Sequence, residues 1–297
     1  MKNQYVADVG DFGKYSLLRA FADKGVKIGV NWYLTENDGS NDGKFTKYLD
    51  DGKLRRYQPE IFDILQTIAG KSDKSVGDIQ RKNVIPGALF YDEPMTFRGS
   101  PADREYERQL WFEESMYELE DAELIFMDPD NGLLESDDAG KLGAEKYVLP
   151  DEVESYFSKG HNVVYYCHKG RRTIGMWHSY KSLMFEKLPE AKPIVLTYHK
   201  GTQRSYVFLV HEKDYVSYRK IVDSITRGWR NIFTEEFTSK GDVSGEAVGD
   251  SFTLEKSDGS IVTIQKRADG QVQIKNSAKP GQSCIMNTDY FCSLFLR

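Results

Sequence analysis

The sequence predicts an α/β protein built on a mostly parallel sheet, and three observations carry that expectation. Short apolar runs alternate with amphipathic helical stretches through most of the chain. Several of those runs end in polar, turn-forming residues, as strands do at the carboxyl edge of an α/β sheet. Two apolar runs, 193–198 and 205–211, are separated by only six residues. That is too short for a helical crossover, so they pair antiparallel. At 297 residues the chain is long enough for one large α/β domain plus a small appendage.

The elements follow in order. Residues 11–24 set Phe12, Tyr15, Leu18 and Phe21 at helical spacing, with Asp11 as the expected N-cap and Gly25 as the stop. Residues 26–35 read as a buried strand, followed by a polar loop at 36–44. A second helix is expected at 58–70. The run 83–91 is strand-like but contains Pro86, which confines it to an edge or a bulge. Residues 101–120 form a long charged helix with Leu110, Trp111, Met116 and Leu119 on its apolar side.

Next comes the clearest strand–helix–strand unit. Residues 123–128 are a short apolar run ending in an acid, 150–159 a helix with Val153, Tyr156 and Phe157 inward, and 162–167 the next strand. A helix at 173–188 leads into the hairpin, and a helix at 212–228 closes the core. Composition changes near residue 235. Beyond it, alternating runs such as SFTLEK, SIVTIQK and QVQIKN are separated by the turn signals SDG and RADG, the pattern of hairpins. The expected division is a Rossmann-like core over 1–235, with helices on both faces and an antiparallel terminal hairpin, and a small β-rich appendage over 236–297.

Bulk properties exclude several function classes. The net charge of −6 gives no global electrostatic case for nucleic acid, although a local basic patch can still bind phosphate. Cys167, Cys284 and Cys292 have no metal-ligand spacing and form no even disulfide set, which suits a reducing compartment. No apolar run approaches the roughly 18 residues of a membrane span, and the opening Met-Lys-Asn-Gln-Tyr has no apolar leader. The expected location is cytoplasmic. The sequence contains neither GxxxxGK[ST] nor GxGxxG, and no nucleophile–His–acid set is identifiable from spacing. His161, His178 and His211 are isolated and read as structural, and Cys167 reads as a buried strand residue.

Four loops at strand ends, and the N-terminal segment, hold the candidate chemistry. Asp128-Pro129-Asp130-Asn131-Gly132 leaves a buried strand. A carboxylate there is partly desolvated unless it binds something, and Asn-Gly permits a positive-φ turn. The plain alternative is an Asx-type turn. Thr35-Glu36-Asn37-Asp38-Gly39, with Asp42 and Gly43 beyond, offers acids for ribose hydroxyls or a divalent metal, or is a solvated turn. Two basic loops echo each other: Cys167-His168-Lys169-Gly170-Arg171-Arg172, and Tyr198-His199-Lys200-Gly201 with Gln203 and Arg204. Their cations match phosphate or carboxylate, and His168 is a candidate acid or base. The N-terminal segment contributes Asn3, Gln4, Tyr5, Asp8, Gly10, Asp11, Lys14, Tyr15 and Arg19. From periodicity alone, Lys14 and Arg19 read as the wet face of a helix.

The strings KNQYVADVGDFGKYSLLR, WYLTENDG, FMDPDNGL, EKYV and YYCHKGRR resemble an uncharacterised family of bacterial and phage proteins. In that family a KNQYxGDxxDxxKYxLLR opening precedes a DPDNG loop. The likeness covers roughly residues 2–172. It implies no established activity but implies that Gln4, Tyr5, Asp11, Lys14 and Tyr15 belong to the site. Ala7 stands where the family tends to have glycine, and 168–172 follow its pattern loosely. More distantly, the order of elements resembles class I S-adenosylmethionine methyltransferases of the ribosomal RNA adenine-N6 group. Asp11 to Tyr15 (DFGKY) stands for that group's DxxKH helix, Asp128 to Asn131 for its DPPY-type loop, and 193–211 for its closing hairpin. Two departures stand out. The loop after the first strand is acidic rather than glycine-rich, and Asn131 stands where an aromatic ring would stack on a flipped base.

Three functions follow. The first is a methyltransferase-like enzyme acting on nucleic acid. Asp128 and Asn131 would bond an exocyclic amine, Thr35, Glu36, Asp38 and Gly39 would hold S-adenosylmethionine, and Lys169, Arg171, Arg172, Lys200 and Arg204 would hold phosphate. The second is a metal-dependent nuclease or phosphoesterase, with Mg²⁺ on Asp128 and Asp130, and Asp38 as a further candidate ligand, while His168 and the arginines handle the phosphate. The third is a non-catalytic nucleotide-binding protein. All three expect a nucleic-acid or nucleotide partner and no membrane.

Overall fold

The computed structural model describes residues 1–39, 45–229, 231–236, 251–255, 261–266, 271–276 and 283–287. Asp42 and Gly43 of the acidic loop, and Cys292, lie outside the described residues, as do the side chains of His178 and Cys284. The chain forms two compact units. One comprises Met1–Gly170 and Tyr180–Glu236; the other takes in 171–179 and the C-terminal strands.

The first unit is built on seven strands: β1 (Ile28–Asn31), β2 (Leu89–Tyr91), β3 (Leu124–Met127), β6 (Asn162–His168), β7 (Lys192–Tyr198), β8 (Arg204–Val210) and β9 (Phe233–Glu236). A separate short parallel pair, β4 (Gly132–Leu133) and β5 (Tyr147–Val148), lies between β3 and β6 in the chain. The sheet order is β2-β1-β3-β6-β8-β7-β9. β2, β1, β3 and β6 pair in parallel, β8 is inserted antiparallel between β6 and β7, and β9 runs antiparallel along β7. This is the predicted α/β fold with a mostly parallel sheet and an antiparallel β7–β8 hairpin. From β1 the chain steps outward to β2, then returns to β3 on the other side of β1. That reversal opens a crevice at the carboxyl ends of β1 and β3, where α/β sheets bind ligands.

Helices α1 (Val9–Ala22), α2 (Tyr48–Asp51), α3 (Pro59–Ala69), α4 (Val76–Arg81) and α8 (Glu212–Gly228) bury apolar residues in one cluster, together with Leu124 and Phe126 of β3 and Tyr206 and Phe208 of β8. α5 (Pro101–Glu118) and α6 (Pro150–Ser158) lie on the other face. There the Tyr156 hydroxyl meets Ser115 Oγ at 2.8 Å and accepts from Asn31 Nδ2 at 3.2 Å. α7 (Ile174–Lys187) connects β6 to β7.

The expected inward residues of α1, Phe12, Tyr15, Leu18 and Phe21, are all fully buried. Each such side chain contributes roughly 1.5–3 kcal/mol of transfer free energy. Phe21 stacks on Phe208, and Phe12 meets Phe62 edge-on.

Four sequence expectations shift. α1 begins at Val9, and its N-cap is Asp8 rather than Asp11; the Asp8 carboxylate accepts from the Gly10 and Asp11 amides at 2.6 and 3.1 Å. β1 ends at Asn31, and β2 begins only after Pro86, as an edge strand. Leu110 of α5 is 48% exposed. Trp111 and Leu119 are buried as expected, and Arg108, Phe112 and Ser115 are buried with them. In the first unit, α2, α4, β4, β5 and β9 were not foreseen.

Arg108 is the charged residue among them, 1% exposed. Its guanidinium donates to Glu152 Oε1 at 2.7 Å and Oε2 at 3.0 Å, and to the carbonyls of Ala144 at 2.8 Å and Tyr147 at 2.7 Å. Glu152 also accepts from the Tyr33 hydroxyl at 2.9 Å and the Leu149 amide at 2.9 Å. A buried ion pair is tolerable when its remaining donors and acceptors are filled in this way.

The second unit contains a four-stranded antiparallel sheet, β10 (Ser251–Glu255), β11 (Ile261–Lys266), β12 (Gln271–Asn276) and β13 (Ser283–Asn287), in simple sequential order. Among the described residues, no helix is long and apolar enough to cross a membrane.

Two outcomes follow. Arg108→Met leaves the Glu152 carboxylate buried without its cation and is expected to cost about 3–5 kcal/mol in urea unfolding, against about 1 kcal/mol for Tyr33→Phe. Asp78 of α4 accepts from Lys71 Nζ at 2.5 Å, Arg81 at 2.8 Å and the Ser75 amide at 3.0 Å. Burial opposes ionisation, but these partners outweigh it and hold the carboxyl at about 2. A lowered acid pKa stabilises the fold above the unfolded value and loses that contribution as pH falls. The stability advantage of the wild type over Asp78→Asn is therefore expected to be full above pH 4 to 5 and to vanish towards pH 2.

Candidate functional site

A cavity of about 360 Å³ opens at the carboxyl ends of β1, β3 and β6, within the size range of small-ligand sites. Its centre is the Asp128–Asn131 loop. β3 delivers Asp128 to the sheet edge, and the Asp128 amide still pairs with the Asn31 carbonyl at 3.0 Å. The far end of the loop is pinned by the small β4–β5 pair, with the Asn131 amide donating to the Lys146 carbonyl at 2.9 Å. Gly132 takes the positive φ of 113° that the Asn-Gly pair foretold. A Cβ there would also lie 2.6 Å from the Tyr180 hydroxyl, so only glycine fits.

Lys14, read from periodicity as solvated, is instead buried beneath this loop. Its Nζ lies 2.6 Å from Asp128 Oδ2 and 2.7 Å from Asp11 Oδ1. Burial works to lower its pKa, but the two carboxylates outweigh burial and keep it cationic. Burial pushes the Asp128 carboxyl up, and the attraction of Lys14 opposes that. Asp11, freed from capping by Asp8, accepts from the Tyr15 hydroxyl at 3.1 Å and the Ala7 amide at 3.0 Å. Of the N-terminal residues suggested by resemblance, Lys14 meets the DPDNG loop directly, and Asp11 and Tyr15 are joined to it through Lys14.

The acidic loop after β1 reaches the same place by way of the first residues of the chain. The Met1 ammonium donates to the carbonyls of Tyr33 at 2.8 Å and Asp128 at 3.0 Å, and lies 2.9 Å from Asp130 Oδ1. Thr35 donates from its amide to the Met1 carbonyl at 2.8 Å and from its hydroxyl to Asp130 Oδ2 at 3.2 Å. Lys2 Nζ lies 2.5 Å from Asp38 and 3.7 Å from Asp130. Gln4 donates to Asp38 Oδ1 at 2.9 Å and accepts from the Asp38 amide at 3.2 Å. Tyr5 and Asp38 line the cavity; Glu36 and Gly39 are exposed and do not.

The two His-Lys-Gly loops lie on this edge and on each other. Gly170 and Gly201 both have positive φ, and Lys169 bonds Gln203 through its amide at 3.3 Å and its Nζ at 3.4 Å. Their contributions are unequal: His168, Thr202 and Arg204 line the cavity, whereas Lys169 and Lys200 do not. His199 turns towards β9, 2.7 Å from Thr234 Oγ1. Arg171 and Arg172 belong to the second unit.

Lining residues missed in the sequence are Met1, Lys2, Phe45, Lys146, Tyr166, Thr202 and Tyr206. Lys2, Lys146 and Tyr166 carried a signal, within the KNQY, EKYV and YYCHKGRR strings. Among the described residues, no three or more His, Cys, Asp or Glu side chains are grouped to hold a metal ion.

No family model matches the sequence, and no curated protein matches it. Among solved structures, the chain is similar to a Legionella pneumophila protein described by the family model DUF519. The two are 13% identical with a TM-score of 0.43, over 79% of this chain and 98% of that one.

Ala7 explains the family's glycine. Its φ is 71°, with its amide on Asp11 and its carbonyl accepting from the Tyr48 hydroxyl at 3.3 Å. A left-handed alanine costs about 1–2 kcal/mol, and a β-branched residue there costs more. Ala7→Gly is expected to be neutral or stabilising by up to about 1 kcal/mol, and Ala7→Val destabilising by at least about 2 kcal/mol, in parallel denaturant titrations.

Proposed function

We propose that the chain is a methyltransferase-like protein that recognises the exocyclic amine of a nucleobase, in nucleic acid or a nucleotide, at the Asp128–Asn131 loop. One observation carries this reading. Lys14 occupies only Asp128 Oδ2; Asp128 Oδ1 and the Asn131 side-chain amide make no hydrogen bond among the described residues, and both residues line the cavity. An aspartate and an asparagine on one cavity wall offer acceptor oxygens to an N–H₂ donor. The rings of Tyr5, Phe45 and Tyr166 on the cavity wall offer apolar faces for a base.

S-adenosylmethionine is the group this reading implies. A methyltransferase cradle needs bare backbone where the chain leaves the first strand. Here Trp32 and Tyr33 are fully buried at that point, and Met1 to Gln4 pair with residues 33–38. The residues present do not fit the cofactor in this arrangement, and no transfer step is derived through it. That observation favours the non-catalytic, nucleotide-binding form of the same reading. The Mg²⁺-dependent alternative draws less support, because Asp128 and Asp130 are already engaged by Lys14, Lys2 and the Met1 ammonium.

Calorimetric titration with adenosine and with inosine, which carries oxygen in place of the amine, tests the reading. Adenosine is expected to bind at least about tenfold more tightly, and Asn131→Ala to remove most of that preference. Equal affinity for the two nucleosides would overturn it. Heat on titration with S-adenosylmethionine would select the enzymatic form; silence would select the binding form.

A further inference from the structure

We infer that the same cavity contains an anion subsite, formed by Arg204 and Lys146, which takes the phosphate of a nucleoside monophosphate. The inference rests on the reading above for the base and adds the class of ligand.

The acids of the cavity already have their cations or amides. Asp128 and Asp11 share Lys14. Asp130 has the Met1 ammonium and Asp38 has Lys2. The Asp8 carboxylate caps α1 through the Gly10 and Asp11 amides, and burial pushes its pKa up. Two cations on the cavity wall are less fully met. Lys146 is half-buried, and its Nζ makes no ion pair or hydrogen bond among the described residues. Arg204 is 7% exposed and ion-paired with Asp8, but Asp8 Oδ1 lies 3.7 Å from Nη1, beyond hydrogen-bond distance. Among the described residues its hydrogen bonds run from Nε to the Thr202 carbonyl at 3.2 Å and from Nη2 to Thr202 Oγ1 at 3.0 Å.

Nη1 makes no hydrogen bond among the described residues, so a guanidinium so deeply placed gains from a further anionic acceptor. It is also held in place: the Tyr166 ring lies 5.9 Å from its carbon, and Gly10 makes room for it, since a Cβ there would lie 1.2 Å from Nη1. The Thr202 bonds fix one side of the fork and leave Nη1 for a ligand. An anion inside a cavity of this size is a single phosphate group on a bound nucleotide rather than a strand backbone lying across the surface.

The test is calorimetry with 5′-AMP, adenosine and inorganic phosphate on the full chain and on Lys146→Met and Arg204→Gln. The expected result is binding of 5′-AMP at least about tenfold tighter than adenosine. Lys146→Met should erase most of that difference and leave adenosine affinity unchanged. The Lys146 Nζ has no partner among the described residues, so this variant keeps the test decisive even if Arg204→Gln fails to fold. Equal affinities for 5′-AMP and adenosine, or a loss in Lys146→Met shared by both, would overturn the subsite. Binding of 5′-AMP and phosphate without any preference for adenosine over inosine would leave the subsite standing and remove the base reading instead.

Discussion

The lysine ammonium of α1, held between Asp11 and Asp128, is the interaction on which the rest of the site depends. Lys14 joins the first helix to the end of β3 through a charge that burial would otherwise expel. With Lys14 anchored there, α1 is fixed against the end of β3. Its amino end then meets the β7–β8 turn, where Gly13 sits against the Tyr198 ring and Gly10 beneath Arg204. The cavity is the space left between these contacts and the Asp128–Asn131 loop.

The surroundings of that triad show a consistent electrostatic plan. Each acid that the sequence gathers near the edge is met by a cation or by backbone amides. The polarity of the cavity is therefore set by the groups left over rather than by composition. A net charge of −6 for the whole chain gave no hint of a positive residue at the site. The same economy appears on the opposite face, where Arg108 and Glu152 satisfy each other and several carbonyls and amides. Both networks hold loops in place by neutralising charge out of water.

Much of the fold was legible because strand and helix periods are local. Phe12, Tyr15, Leu18 and Phe21 announced α1, and the short spacing after residue 198 announced the antiparallel hairpin. The DPDNG loop was legible from its place after an apolar run. What local pattern could not show was pairing over distance. Lys14 looked solvated because its partner Asp128 is 114 residues away. Arg108 looked outward, and Leu110 inward, because Glu152 was needed to reverse them. Lys146 lay in a recognisable string, but its place beside Asn131 depends on two-residue strands too short to be read. Ala7 in a left-handed conformation was marked only by the glycine expected there.

The insertion of β8 between β6 and β7 has a consequence for the order of assembly. Residues 1–131 supply the Lys14–Asp128 contact and most of the acids, and β6 supplies Tyr166 and His168. The wall carrying Thr202, Arg204 and Tyr206 comes from a strand synthesised after all of these, which must enter beside one already placed. During synthesis the first helix and the third strand therefore emerge from the ribosome well before the chain that closes the cavity over them. Domains fold largely as units, and contacts of such long sequence separation form slowly. The charged cluster thus passes through a period of open solvation, and ligand binding is a property only of the completed first unit.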